Sequence, residues 1–488
     1  MLPKNPATTR RGFHPLTLVA AFVIFLLAVH NGRLWRELLA VWPERAPADV
    51  AFLATFAMVI FVVLAVPLQL LALRPVVRPL LALLAVIAAF ISYFADTFGV
   101  VVERTMIANI AQTDPNEARD LVSWPLMLHV LLTGVLPAAL LMAAPLRRTT
   151  WRREVAIRAG AFAGCIVLVA GIAALFYQDY ASLLRNNRQL RQMVNPLTAI
   201  YHGTAHLAAS VLPAKAQGPL QPIAGSAVRR AAARKPVFAV LAIGETARAA
   251  SFGLTGYARD TTPELAKLGV AAFEAEACGT STAESVPCIF APFGREAYSV
   301  ARARESENLL DLLVRAGVDV VWLDNNAGCK GVCARVATER MTMDADRDYC
   351  REGECDDGIL ARRLEEIVAA ADRDTMVVMH MIGSHGPAYY RRYPPSFRRF
   401  EPTCETNRIQ TCDRQAIVNT YDNTILYTDH VLARTVRALD AASGRLDTAM
   451  FYVSDHGESL GEGGLYLHGI PYAFAPKVQT RVPMVLWT

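Results

Sequence analysis

Cysteine is nearly missing from the first half of this 488-residue chain: Cys165 alone precedes Cys278, and eight of the nine cysteines crowd between Cys278 and Cys412. No two are spaced C-x-x-C, which argues against a zinc ribbon, the rival reading of such close pairs. Charge is scarce too. Charged residues make up 19% against 53% hydrophobic, too few for an ordinary soluble enzyme yet too many for a bundle of membrane helices alone. The scarcity is local: long apolar runs dominate up to about residue 177, and beyond it charged and apolar residues alternate as in a globular domain. A formal charge of +5, largely in arginine clusters beside apolar runs, gives no case for nucleic acid. Internal repeats and low-complexity tracts are absent. The first apolar run ends in no clean small-residue cleavage site, so it does not read as a removable signal peptide.

What is present divides at that boundary. Five runs reach the roughly 20 apolar residues a bilayer requires, near 14–31, 51–73, 79–97, 124–145 and 155–177. Lys4, Arg10 and Arg11 precede the first, Arg74 and Arg78 separate the second and third, and Arg147, Arg148, Arg152 and Arg153 separate the fourth and fifth. All three groups share one side if the amino terminus is cytoplasmic, and five spans then put everything after residue 177 outside. Arg33, Arg36 and Arg45 in the first external loop weaken this bias without reversing it. The cysteines agree: Cys165 falls inside the fifth run and the other eight fall in the external part, as the neighbours Cys278–Cys288, Cys329–Cys333, Cys350–Cys355 and Cys404–Cys412. An even set in an oxidising compartment reads as disulfides. Closing loops this short contributes about 2–3 kcal/mol each in the chain-entropy account, and stiffens whatever the loops surround.

Residues 178–235 read as a connector. Tyr180 to Pro196 is arginine-rich with a helical pattern (Leu183, Leu184, Leu190, Met193) suited to a helix on a membrane face, and Ala214 to Lys235 lacks periodicity and reads as a flexible tether. From Val237 onward, strands expected at 237–243, 318–323, 376–381 and 448–453 alternate with helices expected at 262–268, 306–316, 357–372 and 414–440. That alternation predicts an open α/β sheet with sites at its strand ends. The chain stops at Val482 to Thr488, within what reads as one more strand, so an external domain of 236–488, truncated at its end, is expected.

Chemistry-bearing residues gather at those ends. Ser454-Asp455-His456-Gly457-Glu458 follows one strand, Gly244-Glu245-Thr246-Ala247-Arg248 another, and Cys278-Gly279-Thr280-Ser281-Thr282-Ala283 is a small-residue turn with three hydroxyls. Carboxylates and an imidazole at the carboxyl edge of a sheet suit a zinc ion, although Asp455-His456 alone would also serve as a helix N-cap. Any of Thr280, Ser281 and Thr282 is chemically a nucleophile. His385 and His468, isolated in glycine-rich loops, otherwise read as exposed turn residues; His380 reads as packed or hydrogen-bonded, and His430 as structural.

Nearly the whole chain resembles the phosphoethanolamine transferases that modify lipid A, within the alkaline phosphatase and sulfatase superfamily. The resemblance rests on the segments 244–248, 278–283, Ser285-Val286-Pro287-Cys288, Asn326 to Cys333, Gly383-Ser384-His385-Gly386-Pro387, Tyr421 to Asp429 and Ser454 to Ser459, in that order. It implies a five-helix membrane bundle joined to a sulfatase-like α/β domain with a mixed central sheet. It also implies Thr282 as nucleophile and one tightly bound zinc ion on Glu245, Thr282, Asp455 and His456. His385 and His468 would form a second polar group, holding another metal or serving charge stabilisation and proton transfer. Lys330 and Asn326 would contact phosphate. Glu117, in the family-like segment Asn109 to Ala118, would meet a lipid headgroup's ammonium. The implied donor is phosphatidylethanolamine and the implied acceptor lipid A. The protein is expected to be a monomer of the bacterial inner membrane with a periplasmic catalytic domain, lowering envelope negative charge and so polymyxin binding. Transfer to core sugars or another glycan, a phosphoglycerol transferase of the same layout, and a membrane sensor with a dead enzyme domain are the alternatives.

Overall fold

The computed structural model describes residues 12–41, 47–112, 115–147, 149–211, 220–223, 235–343, 346–351 and 353–488. They form two compact units, one of Met1–Glu103 with Ser123–Ala205 and the other of Arg104–Val122 with His206–Thr488. Before the first strand run the helices α1 (Pro15–Val29), α2 (Gly32–Val41), α3 (Pro47–Leu71), α4 (Val77–Phe98), α5 (Arg104–Gln112), α6 (Pro115–Leu121), α7 (Trp124–Val130), α8 (Leu136–Ala143), α9 (Trp151–Asn186) and α10 (Leu197–Val211).

Four stretches are long and apolar enough to cross a bilayer: Val50–Leu71, Val77–Phe98, Trp124–Ala143 and Trp151–Tyr180. The expected first span is different. The helix α1 has 15 residues, about 22 Å at 1.5 Å per residue, short of a hydrocarbon core of about 30 Å. It then bends by 62° into α2, so a fifth span exists only if the pair counts as one. Two buried amides brace the bend. Asn31 donates to the Leu26 carbonyl, which also accepts from the His30 amide, and Asn195 donates to the carbonyls of His30, at the bend, and of Ala88 in the neighbouring α4. The first part of the expected connector is helical, through α9, a 3₁₀ turn at Arg188–Gln192 and α10. Much of the expected tether, 212–219 and 224–234, lies outside the described residues.

The second unit is built on β1 (Val237–Gly244), β2 (Ala271–Glu276), β3 (Asp319–Asp324), β4 (Ala337–Arg340), the hairpin β5 (Cys350–Arg351) and β6 (Glu354–Cys355), β7 (Thr375–His380), β8 (Asp447–Ser454), the hairpin β9 (Ser459–Leu460) and β10 (Tyr466–Leu467), and β11 (Arg481–Trp487). Its helices are α11 (Thr282–Ile289), α12 (Val300–Glu305), α13 (Leu309–Arg315), α14 (Gly358–Ala370), α15 (Arg414–Ala442) and α16 (Lys477–Thr480). Seven strands form one mixed sheet in the order β2-β11-β8-β1-β7-β3-β4, with β11 antiparallel to both its neighbours and the other pairings parallel. Alternate residues of β1 feed opposite cores. Phe238, Val240 and Ala242 pack with α14 and α15, while Leu241 and Ile243 pack with Trp322, Val286 and Leu310. A sheet covered on both faces leaves its strand ends as the place where polar groups can gather.

Candidate metal centre and nucleophile

In the parallel register of β1 and β8, Gly244 lies opposite Ser454, so Glu245 and Asp455-His456 leave the sheet side by side. The turn after β1 is strained. Thr246 takes φ +56°, a conformation uncommon outside glycine, and three interactions fix it. The Thr246 amide donates to Asp455 Oδ1 (3.2 Å), the Ala247 amide donates to Ser454 Oγ (2.8 Å), and the Tyr421 hydroxyl donates to the Thr246 carbonyl (2.5 Å). Gly383 crosses behind the turn at φ +50°, where a Cβ would lie 2.7 Å from the Glu245 carbonyl oxygen; only glycine fits there.

Three ligand-type atoms converge at this strand end. His456 Nε2 lies 3.3 Å from Glu245 Oε1 and 3.4 Å from Asp455 Oδ2, and all three residues are at most 1% exposed. None of the three atoms has a hydrogen-bond partner among the described residues, although each residue's other polar atom does. Buried polar atoms are otherwise almost always paired. Ligand atoms about 2.0 Å from a tetrahedral zinc stand about 3.3 Å apart, so these residues fit that ion. His456 Nδ1 faces the Gly457 carbonyl (3.0 Å), which fixes the ring and leaves Nε2 for the cation. The electrostatics agree. Burial opposes its protonation, yet Asp455 and Glu245 push His456 up to about 10. Burial and the Glu245 charge push Asp455 up to about 6. Burial opposes the ionised form of Glu245, yet the neighbouring imidazoles of His456, His385 and His468 hold it well below the ordinary carboxylate range. Two carboxylates this close call for a positive charge between them.

Of the three candidate hydroxyls, Thr282 is the one that reaches this centre: its Oγ1 donates to Glu245 Oε2 at 3.0 Å. The Thr280 hydroxyl donates to the Ile470 carbonyl (2.7 Å), and Ser281 is a buried N-cap whose hydroxyl has no hydrogen-bond partner among the described residues. Thr282 opens α11, where the helix dipole favours an oxygen carrying negative charge.

His468 and His385 stand beside the triad. Glu245, His385 and His468 offer ligand atoms within 4.8 Å of one another, as do His456, Glu458 and His468. Glu458 was not singled out for any role in the sequence, although it sits in the Asp-His motif. Fully buried, it accepts from the Tyr389 hydroxyl (2.7 Å) and pairs with His468 Nδ1 (2.9 Å), directing Nε2 away from itself. Its one available signal was a charged residue inside an otherwise small, buried turn.

The expected phosphate contacts are placed differently from each other. Asn326 donates to Glu245 Oε2 (2.9 Å) and to the Met381 carbonyl (2.8 Å), so both its amide hydrogens serve the protein. Lys330 donates to the Ala327 carbonyl (2.9 Å) from a left-handed conformation, φ +52°. The helices α5 and α6 belong to the catalytic unit, with α5 packed on α11 and Asp120 paired with Arg391. The Glu117 side chain lies outside the described residues. Disulfides join Cys278 to Cys288, Cys329 to Cys333, Cys350 to Cys355 and Cys404 to Cys412, and Cys165 is free. His380 is buried against Asp324 (2.7 Å), and His430 pairs with Glu264 (2.8 Å).

Comparison with known proteins gives concordant results for both units. Residues 238–488 match the sulfatase family, and residues 56–210 match the family described as phosphoethanolamine transferase EptA/EptB. Phosphoethanolamine transferase EptA of Escherichia coli K12 is 41% identical over 96% of this chain and 86% of its own length. Phosphatidylethanolamine transferase Mcr-1 of Escherichia coli is 38% identical over 100% of this chain and 92% of its own. The structure of lipooligosaccharide phosphoethanolamine transferase A from Neisseria meningitidis superimposes with a TM-score of 0.92 at 39% identity, covering 96% of this chain and 88% of that one.

Proposed function

The chain belongs to the phosphoethanolamine transferase family, and from that premise we propose that it moves phosphoethanolamine from phosphatidylethanolamine to a phosphate of lipid A through a covalent intermediate on Thr282. The observation that carries this reading is the Thr282 hydroxyl resting on Glu245, beside three buried ligand atoms that have no hydrogen-bond partner among the described residues.

Glu245, Asp455 and His456 would hold a zinc ion with Thr282 at the remaining position, and the ion would supply Lewis-acid stabilisation of oxygen charge. The protein's own part follows from its hydrogen bonds. In the first step Thr282 gives up its proton and attacks the donor's phosphorus; the phosphorus–oxygen bond to diacylglycerol breaks, and that oxygen takes a proton. His468, paired with Glu458, and His385 lie beside Glu245 and would deliver that proton and steady the charge on the phosphoryl oxygens. Asn326 holds Glu245 in place. In the second step an oxygen of the acceptor phosphate attacks, the bond to Thr282 breaks, and the threonine recovers its proton. We place this chemistry outside the bacterial inner membrane, with the amino terminus cytoplasmic. Donor and acceptor are both lipids, so an anchored enzyme meets them at high effective concentration. Each transfer adds an ammonium beside a phosphate, weakening attraction for polymyxin-type cations.

Mass spectrometry of lipid A from Gram-negative cells tests this. Cells expressing the chain should show a phosphoethanolamine adduct, and cells expressing Thr282→Ala none. An adduct that survives Thr282→Ala would overturn the covalent route; unmodified lipid A, with protein present in the membrane, would overturn the acceptor.

A further inference from the structure

A cavity of about 390 Å³ begins one residue past Thr282, at Ala283. Ala283 and Pro287 from α11, Ala291 just beyond it, and Val300 and Ala303 from α12 give it apolar walls, and Arg304, Lys330 and Arg335 line it against the single carboxylate of Glu307. Arg335 is forked onto Asp311 (2.5 and 2.6 Å), and Glu307 is bound by Arg315 at 2.5 Å. Arg304 is exposed and has no hydrogen-bond or ion-pair partner among the described residues. Lys330 is offered by a costly backbone. Gly328, Lys330 and Gly331 all take positive φ (+83°, +52° and +93°), in a loop tied by Cys329–Cys333. Only the surrounding structure sustains a lysine there. A second cavity, of about 300 Å³, is lined by Asn326, Arg340, Glu354, His385 and Arg392 and is more nearly neutralised. Its buried Arg392 is bound by Glu354 (2.8 Å) and lies 3.7 Å from Asp120.

We propose that the cavity between α11, α12 and the Cys329–Cys333 loop is the acceptor's subsite, taking a glycan that carries more than one phosphate monoester. This rests on the transferase reading above. Its charge suits a multiply anionic ligand, whereas an ethanolamine headgroup would find only a carboxylate already bound to arginine. Its apolar walls suit the flat face of a sugar ring. Because it begins at Ala283, a ligand in it reaches the residue next to Thr282. With one phosphate held by Arg304 and Lys330, an oxygen of a second attacks the phosphorus of the threonine-bound phosphoethanolamine. A P–O–P linkage forms, the bond to Thr282 Oγ1 breaks, and that oxygen takes the proton lost by the attacking phosphate.

Full-length protein with phosphatidylethanolamine vesicles separates the two half-reactions. Without acceptor, acid-quenched intact-mass measurement reads the adduct on Thr282; with a synthetic glucosamine disaccharide bisphosphate, turnover gives KM and kcat. Arg304→Glu and Ala303→Trp should form the adduct at the wild-type rate and raise KM for the bisphosphate about ten-fold, with kcat changed by no more than about two-fold. The corresponding monophosphate should lose less. Direct titration of the bisphosphate should show the same loss of affinity, independently of turnover. Equal affinity and KM in the variants would overturn the subsite, as would adduct formation falling in parallel. A wild-type chain that binds the bisphosphate through Arg304 but forms no adduct would instead overturn the covalent route alone.

Discussion

Glu458 sits at hydrogen-bonding distance from one histidine and one tyrosine, and neither contact could be read from its neighbours in sequence. His468 is ten positions away and Tyr389 sixty-nine. The same holds for the nucleophile. Thr280, Ser281 and Thr282 are chemically alike, and what separates them in the structure is which hydroxyl the Ile470 carbonyl occupies and which one Glu245 receives. Sequence resemblance selected Thr282; residue chemistry left all three open. The strand-end carboxylates and imidazole, by contrast, were legible because each follows an apolar run directly. On the transferase reading proposed above, Glu458→Gln should leave zinc binding at Glu245, Asp455 and His456 intact and lower kcat by about 10- to 100-fold, as expected for a partner that orients a site histidine; an unchanged kcat would show that His468 needs no such partner. Away from the site, burial lifts Asp429 to about 7, against two backbone amides that donate to it. A folded carboxyl above its unfolded value stabilises the fold in full below about pH 4 and loses that contribution as pH rises through about 7. Asp429→Asn should therefore flatten the fall in melting temperature between pH 4 and 8, and an unaltered slope would remove Asp429 as its source.

Among elements, the four long strands of the sheet centre were legible, since Val, Ile, Leu and Met runs buried on both faces leave little ambiguity. The edge strands were not. Ala271–Glu276 and Ala337–Arg340 are short and carry acids and an arginine at exposed positions, the composition that protects sheet edges and that reads as loop. The segment expected as a helix over 262–268 is reduced to a 3₁₀ turn at Leu265–Leu268, after a stretch whose amides donate to Asp429. The shortened α1 depends on Asn195, 164 positions from Asn31, a pairing no local pattern announces. The loop 328–331 is where element and chemistry meet. Replacing Cys329 and Cys333 together with serine should cost about 2 kcal/mol for a closed loop this short, measured as a lower unfolding midpoint. On the subsite proposed above it should also raise KM for the bisphosphate; a stability loss with KM unmoved would leave the bridge a staple only.

At the scale of the molecule, the division between an apolar amino-terminal part and a charged carboxyl-terminal part was plain from composition. That Arg104–Val122, flanked in sequence by apolar helices, groups with the carboxyl-terminal unit was not, because a short polar segment between two apolar runs reads as a loop at the membrane surface, whatever family it resembles. The backbone therefore passes between the two units at three points, near 103, 122 and 205, and severing it once does not separate them. Suppose a protease site is built into residues 224–234 and cut in isolated membranes. The fragment that follows is then free of covalent attachment, yet it still holds α5 and α6 through contacts such as Asp120 with Arg391 and α5 with α11. It should sediment with the membranes in dilute buffer and enter the supernatant only when salt or mild denaturant loosens that grip. Immediate release on cutting would mean that the inserted helices bind their unit too weakly to serve as an anchor. Retention would mean that any exchange of catalytic domains between relatives has to carry both stretches of sequence together.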